Sequence, residues 1–140
     1  GLLMAHLAAL RAGRAIDAPQ YDYARHVRAA HTRRIEPQAV YIVEGIHVLH
    51  DGNLRRLLDL KVFLDLPADL RFIRRLERDT TERGRSVQSV VQQYLRSVRP
   101  MHTRYVAPAR RHADFVVGED DDLPAVAARL CTQLAENAAP

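Results

Sequence analysis

The 140-residue sequence has one cysteine, one lysine, few aromatics (6%) and no apolar run approaching the ~18 residues of a membrane helix. A lone Cys131 closes no internal disulfide and builds no cysteine metal cluster, which fits a reducing compartment and makes the cytoplasm the expected location. With no long apolar segment and no basic stretch leading into one, neither export nor membrane anchoring is expected. The scarce aromatics do not interleave with the basic residues, and the basic residues alternate with acids. The stacking platform of a single-strand binder is therefore missing, and no nucleic-acid partner is expected despite the net charge of +4. Low-complexity segments and internal repeats are also absent.

What is present is the composition of one globular domain, 47% hydrophobic and 27% charged. A chain of this size buries roughly two-thirds of its unfolded surface if every strand its core needs is at hand. Twenty of the twenty-one basic residues are arginine, whose planar fork suits phosphate and carboxylate. The chain opens at Gly1 inside an apolar-periodic segment, with its first methionine at Met4, and is expected to be a piece of a longer protein.

Leu2, Leu3, Leu7 and Leu10 recur at helical spacing and Gly13 supplies a stop, predicting the end of an amphipathic helix. Two short extended pieces bounded by Pro19 and Pro37 flank a polar stretch, predicting a hairpin-like flap over about 15–37. Val40-Tyr41-Ile42-Val43 is a continuous apolar, largely β-branched run and predicts a strand buried on both faces. Asp51 caps a short helix predicted through Leu58, and residues 61–66 form a second buried strand. A helix beginning near Pro67 is predicted to turn Leu70, Ile73 and Leu76 inward and to close at Gly84. Another, over 86–98, buries Val87, Val90, Val91 and Leu95 until Pro100 interrupts it; a strand over 113–117 and a helix over 123–134 follow. Strands alternating with helices imply right-handed crossovers and a parallel α/β sheet, with ligands beyond the carboxyl ends of its strands. Three core strands make a thin sheet, so part of it is expected to be missing.

Three groupings carry chemistry. The polar stretch Tyr21-Asp22-Tyr23-Ala24-Arg25-His26-Val27-Arg28 could stack on and hydrogen-bond a base, or could be a solvated hairpin whose tyrosines cover a core edge. Glu44, after Val43, stands where a phosphate-transfer enzyme holds Mg²⁺, or is a solvated strand terminus. In the segment from Arg74 to Arg85, Arg75 and Arg78 share a helical face while Arg83 and Arg85 bracket Gly84, so four guanidiniums could converge on a polyphosphate. The alternative is an exposed helix laced by the i,i+4 pairs Arg75/Asp79, Arg78/Glu82 and Asp79/Arg83, each contributing about 0.3–0.5 kcal/mol.

Tyr21-Asp22-Tyr23 with His26 and Arg28, Val43-Glu44-Gly45-Ile46, Arg78-Asp79 through Glu82-Arg83-Gly84-Arg85, Gln93-Tyr94, and Pro100-Met101-His102 with Ala113-Asp114 together resemble the uridine kinase (uridine–cytidine kinase) family of P-loop nucleoside kinases. The resemblance covers nearly the whole chain. It implies a single partial domain over 1–140, the C-terminal part of a P-loop NTPase-like α/β fold: a parallel sheet with flanking helices, a β-hairpin flap and missing N-terminal strands. It further implies phosphorylation of uridine or cytidine to the 5′-monophosphate by ATP or GTP with Mg²⁺, in an enzyme that is often a homotetramer. Tyr21 and His26 would contact the base, and Arg75, Arg85 and Gln93 would complete the nucleoside pocket. Arg78 and Arg83 would be the catalytic lid arginines, and Glu44 the acid near Mg²⁺.

Two departures stand beside the matches. No Gly-x-x-x-x-Gly-Lys-Ser/Thr occurs, so the backbone cradle and lysine for nucleotide phosphates are absent from these residues. The aspartates that the family places before the flap, one of them the general base, have no counterpart. The chain by itself is therefore expected to be inactive and incompletely folded. Alternative readings are a phosphoribulokinase-like kinase, against which Tyr21 and His26 argue, and a non-catalytic interaction or oligomerisation subunit.

Overall fold

The computed structural model describes residues 1–22 and 27–138; His26 and the rest of 23–26 lie outside them. The chain forms two compact units, Gly1–Glu44 and Gly45–Pro140. No helix among the described residues is long and apolar enough to cross a membrane.

In the first unit, helix α1 (Leu2–Arg11) buries Leu7 and Leu10, and Ile16 joins them from strand β1 (Ile16–Asp22). Gly13 follows the helix with φ 71°, the left-handed conformation that lets a chain leave a helix end. Strand β2 (Val27–Ile35) pairs antiparallel with β1, from Ile16 opposite Ile35 to Asp22 opposite Val27. The ladder is irregular between Pro19 and Tyr21, as expected where proline removes a donor. It runs further than the prolines suggest: Tyr21 lies in the ladder opposite Arg28.

The strand predicted over residues 40–43 does not form. These residues have no strand assignment, and Ile42 is 93% exposed. An apolar, β-branched run is a strand only where neighbours accept its backbone groups and cover its faces, and none among the described residues pairs with it.

The second unit holds a parallel pair, β3 (Val62–Leu64) and β4 (Phe115–Val117), with Val62 opposite Phe115 and Leu64 opposite Val117. Parallel pairing over this separation requires a crossover, supplied by the intervening helices. Asp114 fastens its entrance, its Oδ2 accepting from Lys61 N at 2.8 Å and Lys61 Nζ at 2.9 Å. Helix α2 (Gly52–Arg55) begins at Asp51, whose side chain accepts from Asn53 N and Leu54 N; these bonds hold its carboxyl below the usual range. The helix ends before Leu58.

Helix α3 (Ala68–Thr81) keeps Leu70 and Leu76 half-buried as its aliphatic spacing suggests, but not Ile73. Ile73 is 55% exposed, whereas Phe72, Arg75, Leu76 and Asp79, at i, i+3, i+4 and i+7, are covered to differing degrees. Phe72 meets Tyr94 with ring centroids 4.6 Å apart, packing α3 against the region that follows helix α4 (Val87–Gln93). In α4, Val90 is fully buried and Val91 half-buried, while Val87 and the following Leu95 are exposed. Nor does Pro100 interrupt the chain's helical course. Wide π turns over Tyr94–Val98 and His102–Val106 flank helix α5 (Arg99–Met101), and a 3₁₀ turn spans Ala107–His112. Arg99 N donates to Tyr94 O, one residue beyond α-helical spacing, and this widening accommodates the ring and missing donor of Pro100. Helix α6 (Leu123–Ala138) extends past the predicted 134.

Candidate functional site

Asp79 is the residue around which the site is built. It lies in the last turns of α3 with a fully buried side chain, and four guanidiniums reach its two oxygens. Arg78 donates to Oδ1 through Nε at 3.1 Å and Nη2 at 2.9 Å, and Arg83 Nη1 donates to the same oxygen at 3.2 Å. Arg85 Nη1 donates to Oδ2 at 3.3 Å, and Arg75 Nη2 lies 3.5 Å from it. Burial works hardest against ionisation of this carboxyl. The Arg78 hydrogen bond and the charges of Arg75, Arg78 and Arg83 outweigh it and hold the pKa below the usual carboxylate range.

Gly84 makes the convergence possible. Its φ of 60° turns the chain just past α3, so that Arg83 and Arg85 both point back at Asp79 and Arg85 N donates to Asp79 O at 3.0 Å. A Cβ at Gly84 would meet nothing within 4 Å, so the penalty of a side chain there is purely conformational. Gly84→Ala is expected to destabilise the protein by about 1–2 kcal/mol. Urea denaturation would check it, and an unchanged midpoint would mean the turn relaxes without strain.

Gln93, at the end of α4, completes the group. Its Oε1 accepts from Arg75 Nη2 at 2.8 Å and Arg85 Nη1 at 2.6 Å, and Arg85 Nη2 donates to Ser89 Oγ at 3.0 Å. With its oxygen occupied by two guanidiniums, Gln93 is left with amide N–H donors for a ligand. The cluster is short of negative charge and of acceptors alike: one carboxylate faces four guanidiniums, each with five N–H donors, and Arg75 Nε is buried without an acceptor among the described residues. Arg85, Ser89, Gln93 and Arg96 border an open cleft of about 790 Å³ beside it. A second cleft of about 510 Å³, between β4 and α6, is lined by Asp114, Val117, Asp121 and Arg129 and holds no such convergence of cations.

The structure thus brings Arg75, Arg78, Arg83, Arg85 and Gln93 together. Arg78 pairs with Asp79 rather than with Glu82, one turn on. Tyr21 and Glu44 belong to the first unit, Tyr21 half-exposed on β1 and Glu44 exposed after residues 40–43. His26 falls outside the described residues. The sequence spacing put Asp79 in two exposed i,i+4 pairs, with Arg75 and with Arg83, rather than at the buried centre of a cluster, and did not single out Ser89. The readable signals were Asp79's position four residues from both Arg75 and Arg83, and the i,i+4 spacing of Ser89 and Gln93 on one face of α4. Further along, burial pushes the His102 imidazole down, Arg71 adds to the effect and Asp65 opposes it, so His102 is held neutral near pH 7.

Residues 1–123 match the model of the phosphoribulokinase / uridine kinase family. The chain belongs to this family. It is 57% identical over 115 residues to a uridine kinase of Chloroflexus aggregans, which covers 82% of this chain and 55% of that protein. A uridine kinase of Deinococcus deserti is 52% identical over 116 residues, 83% of this chain and 56% of the relative. One of Staphylococcus carnosus is 49% identical over 118 residues, 84% and 57% respectively. The chain spans about half the length of the curated relatives it matches. As a member of this kinase family it combines an α/β architecture and a small parallel sheet with an arginine-rich cluster at the end of α3.

Proposed function

We propose that the protein containing this chain transfers the γ-phosphoryl group of ATP or GTP to the 5′-hydroxyl of uridine or cytidine, and that this chain supplies the nucleoside-holding and lid residues. The observation that carries the reading is the convergence of four guanidiniums, in excess of their one buried counter-charge, within a family whose similar members are named uridine kinases. Phosphoryl transfer spreads negative charge over equatorial oxygens, and cations already in place stabilise it without reorganising. Arg78 and Arg83 take that part. Arg75, Arg85 and Gln93 hold ribose hydroxyls or base edges, the Gln93 amide donating to an acceptor, while Tyr21 and His26 contact the base.

No group of three or more His, Cys, Asp or Glu among the described residues is arranged to hold a metal ion. Mg²⁺ needs only one or two protein carboxylates when phosphates and waters fill its other positions, so exposed Glu44 fits a water-mediated contact. Bound with the nucleotide, the ion would neutralise charge on the β- and γ-phosphates. The donor nucleotide's phosphate cradle lies beyond these 140 residues, since no P-loop motif occurs in them. The intact protein is proposed to be a homo-oligomer, a tetramer as the family resemblance implies, and to work in the cytoplasm.

An ADP-release assay with uridine and Mg-ATP tests the proposal on the purified chain and on a longer protein that contains it. Uridine-dependent turnover is expected from the longer protein alone. Turnover by the 140-residue chain would overturn the division of labour; none in either would overturn the kinase reading. Turnover with ribulose 5-phosphate in place of uridine would select the other activity in the family's description.

A further inference from the structure

We propose that Asp79 is a positioning residue that sorts the four arginines into two working pairs and couples them, an inference that rests on the kinase reading above. Its two oxygens have different partners. Oδ1 takes Arg78 and Arg83, and Oδ2 takes Arg75 and Arg85. The Oδ2 pair is also the pair that shares Gln93 Oε1.

Exposure follows the same division. The side chains of Arg78 and Arg83 are 43% and 48% exposed, those of Arg75 and Arg85 24% and 28%. An incoming phosphoryl group meets the Oδ1 pair, while the Oδ2 pair stays seated between carboxylate and amide. Asp79 itself is fully covered, so it touches no ligand and acts only through the arginines. Its backbone carbonyl accepts from Arg85 N, which fixes the chain after the Gly84 turn to the same residue. Both oxygens belong to one rigid plane, so a rotation that follows one pair turns the other. A well-held nucleoside therefore sets the angle at which Arg78 and Arg83 wait.

Asp79→Asn keeps the shape but offers one acceptor oxygen and directs an NH₂ at the other pair. In the longer, active protein it is expected to lower kcat by roughly 10- to 100-fold and to raise the KM for uridine severalfold. Combined with Arg83→Ala, the Asn variant should lower kcat little further; combined with Arg85→Ala, it should raise KM little further. Additive effects in both cycles would overturn the proposal, as would a lower melting temperature with kcat and KM unchanged. The Arg78 Nε–H resonance in ¹⁵N side-chain spectra gives a readout independent of turnover. In the wild type it should be shifted and slow to exchange, and both features should vanish in Asp79→Ala, which leaves no acceptor for Arg78 at this position. An unchanged resonance would overturn the positioning role alone, whereas a wild type inactive toward uridine would overturn the kinase reading.

Discussion

Replacing Arg83 by alanine in the longer protein is expected to lower kcat roughly 10³-fold, about 4 kcal/mol of barrier, with little change in the KM for uridine. The same substitution should barely move the melting temperature. Arg83 is 48% exposed and, among the described residues, makes a single ion pair, at 3.2 Å, with an oxygen that Arg78 continues to satisfy. A half-exposed pair of this kind contributes about 0.5 kcal/mol to stability. The disparity between the two magnitudes is what decides the role. A catalytic loss several kcal/mol larger than the stability loss marks a group acting on the reacting phosphate. Stability and kcat falling by similar small amounts would make Arg83 one strut of a salt-bridged helix end. Steady-state kinetics and thermal denaturation on the same preparation distinguish the two.

Removing the carboxylate altogether adds a loss of stability that Arg83→Ala lacks. Asp79→Ala should destabilise the longer protein by about 2–3 kcal/mol. Breaking a fully buried ion pair costs about 3–5 kcal/mol because a charge is left without compensation. Here the carboxylate is fully covered but its partners are 24–48% exposed, so water takes up part of their charge and the penalty falls below that range. The pH dependence carries the same information. The folded pKa of Asp79 is depressed, so its contribution is fully present above the unfolded value of about 3.9 and is lost as pH falls through the lower folded value. The wild type should therefore lose stability below about pH 4 with a component that the alanine variant lacks. Urea midpoints measured between neutral and acid pH would show it, and parallel curves for the two proteins would mean Asp79 contributes no linked ionisation.

Local outcomes were legible in the sequence wherever the deciding partner lay within a few residues. Gly13 and Gly84 end their helices through left-handed backbone, and Asp51 caps the helix beside it. The members of the arginine cluster were legible too, because i,i+3 and i,i+4 spacing on a helix is a geometric fact. Family membership was readable from five ordered motifs.

Packing across the fold set the exposure of Ile73, the burial of Asp79 and what the arginines surround. Periodicity of apolar residues nominated Ile73, which is exposed, because it cannot weigh a carboxylate that four cations make able to enter the interior. Residues 40–43 have every local property of a strand and remain unpaired among the described residues, since ladder bonds come only from neighbours that local sequence does not specify. Pro100 sits inside a helical course that π turns widen around it, accommodating its ring and missing donor. Burial and pairing are properties of the whole neighbourhood, and sequence spacing reports only the part of that neighbourhood one helix turn away.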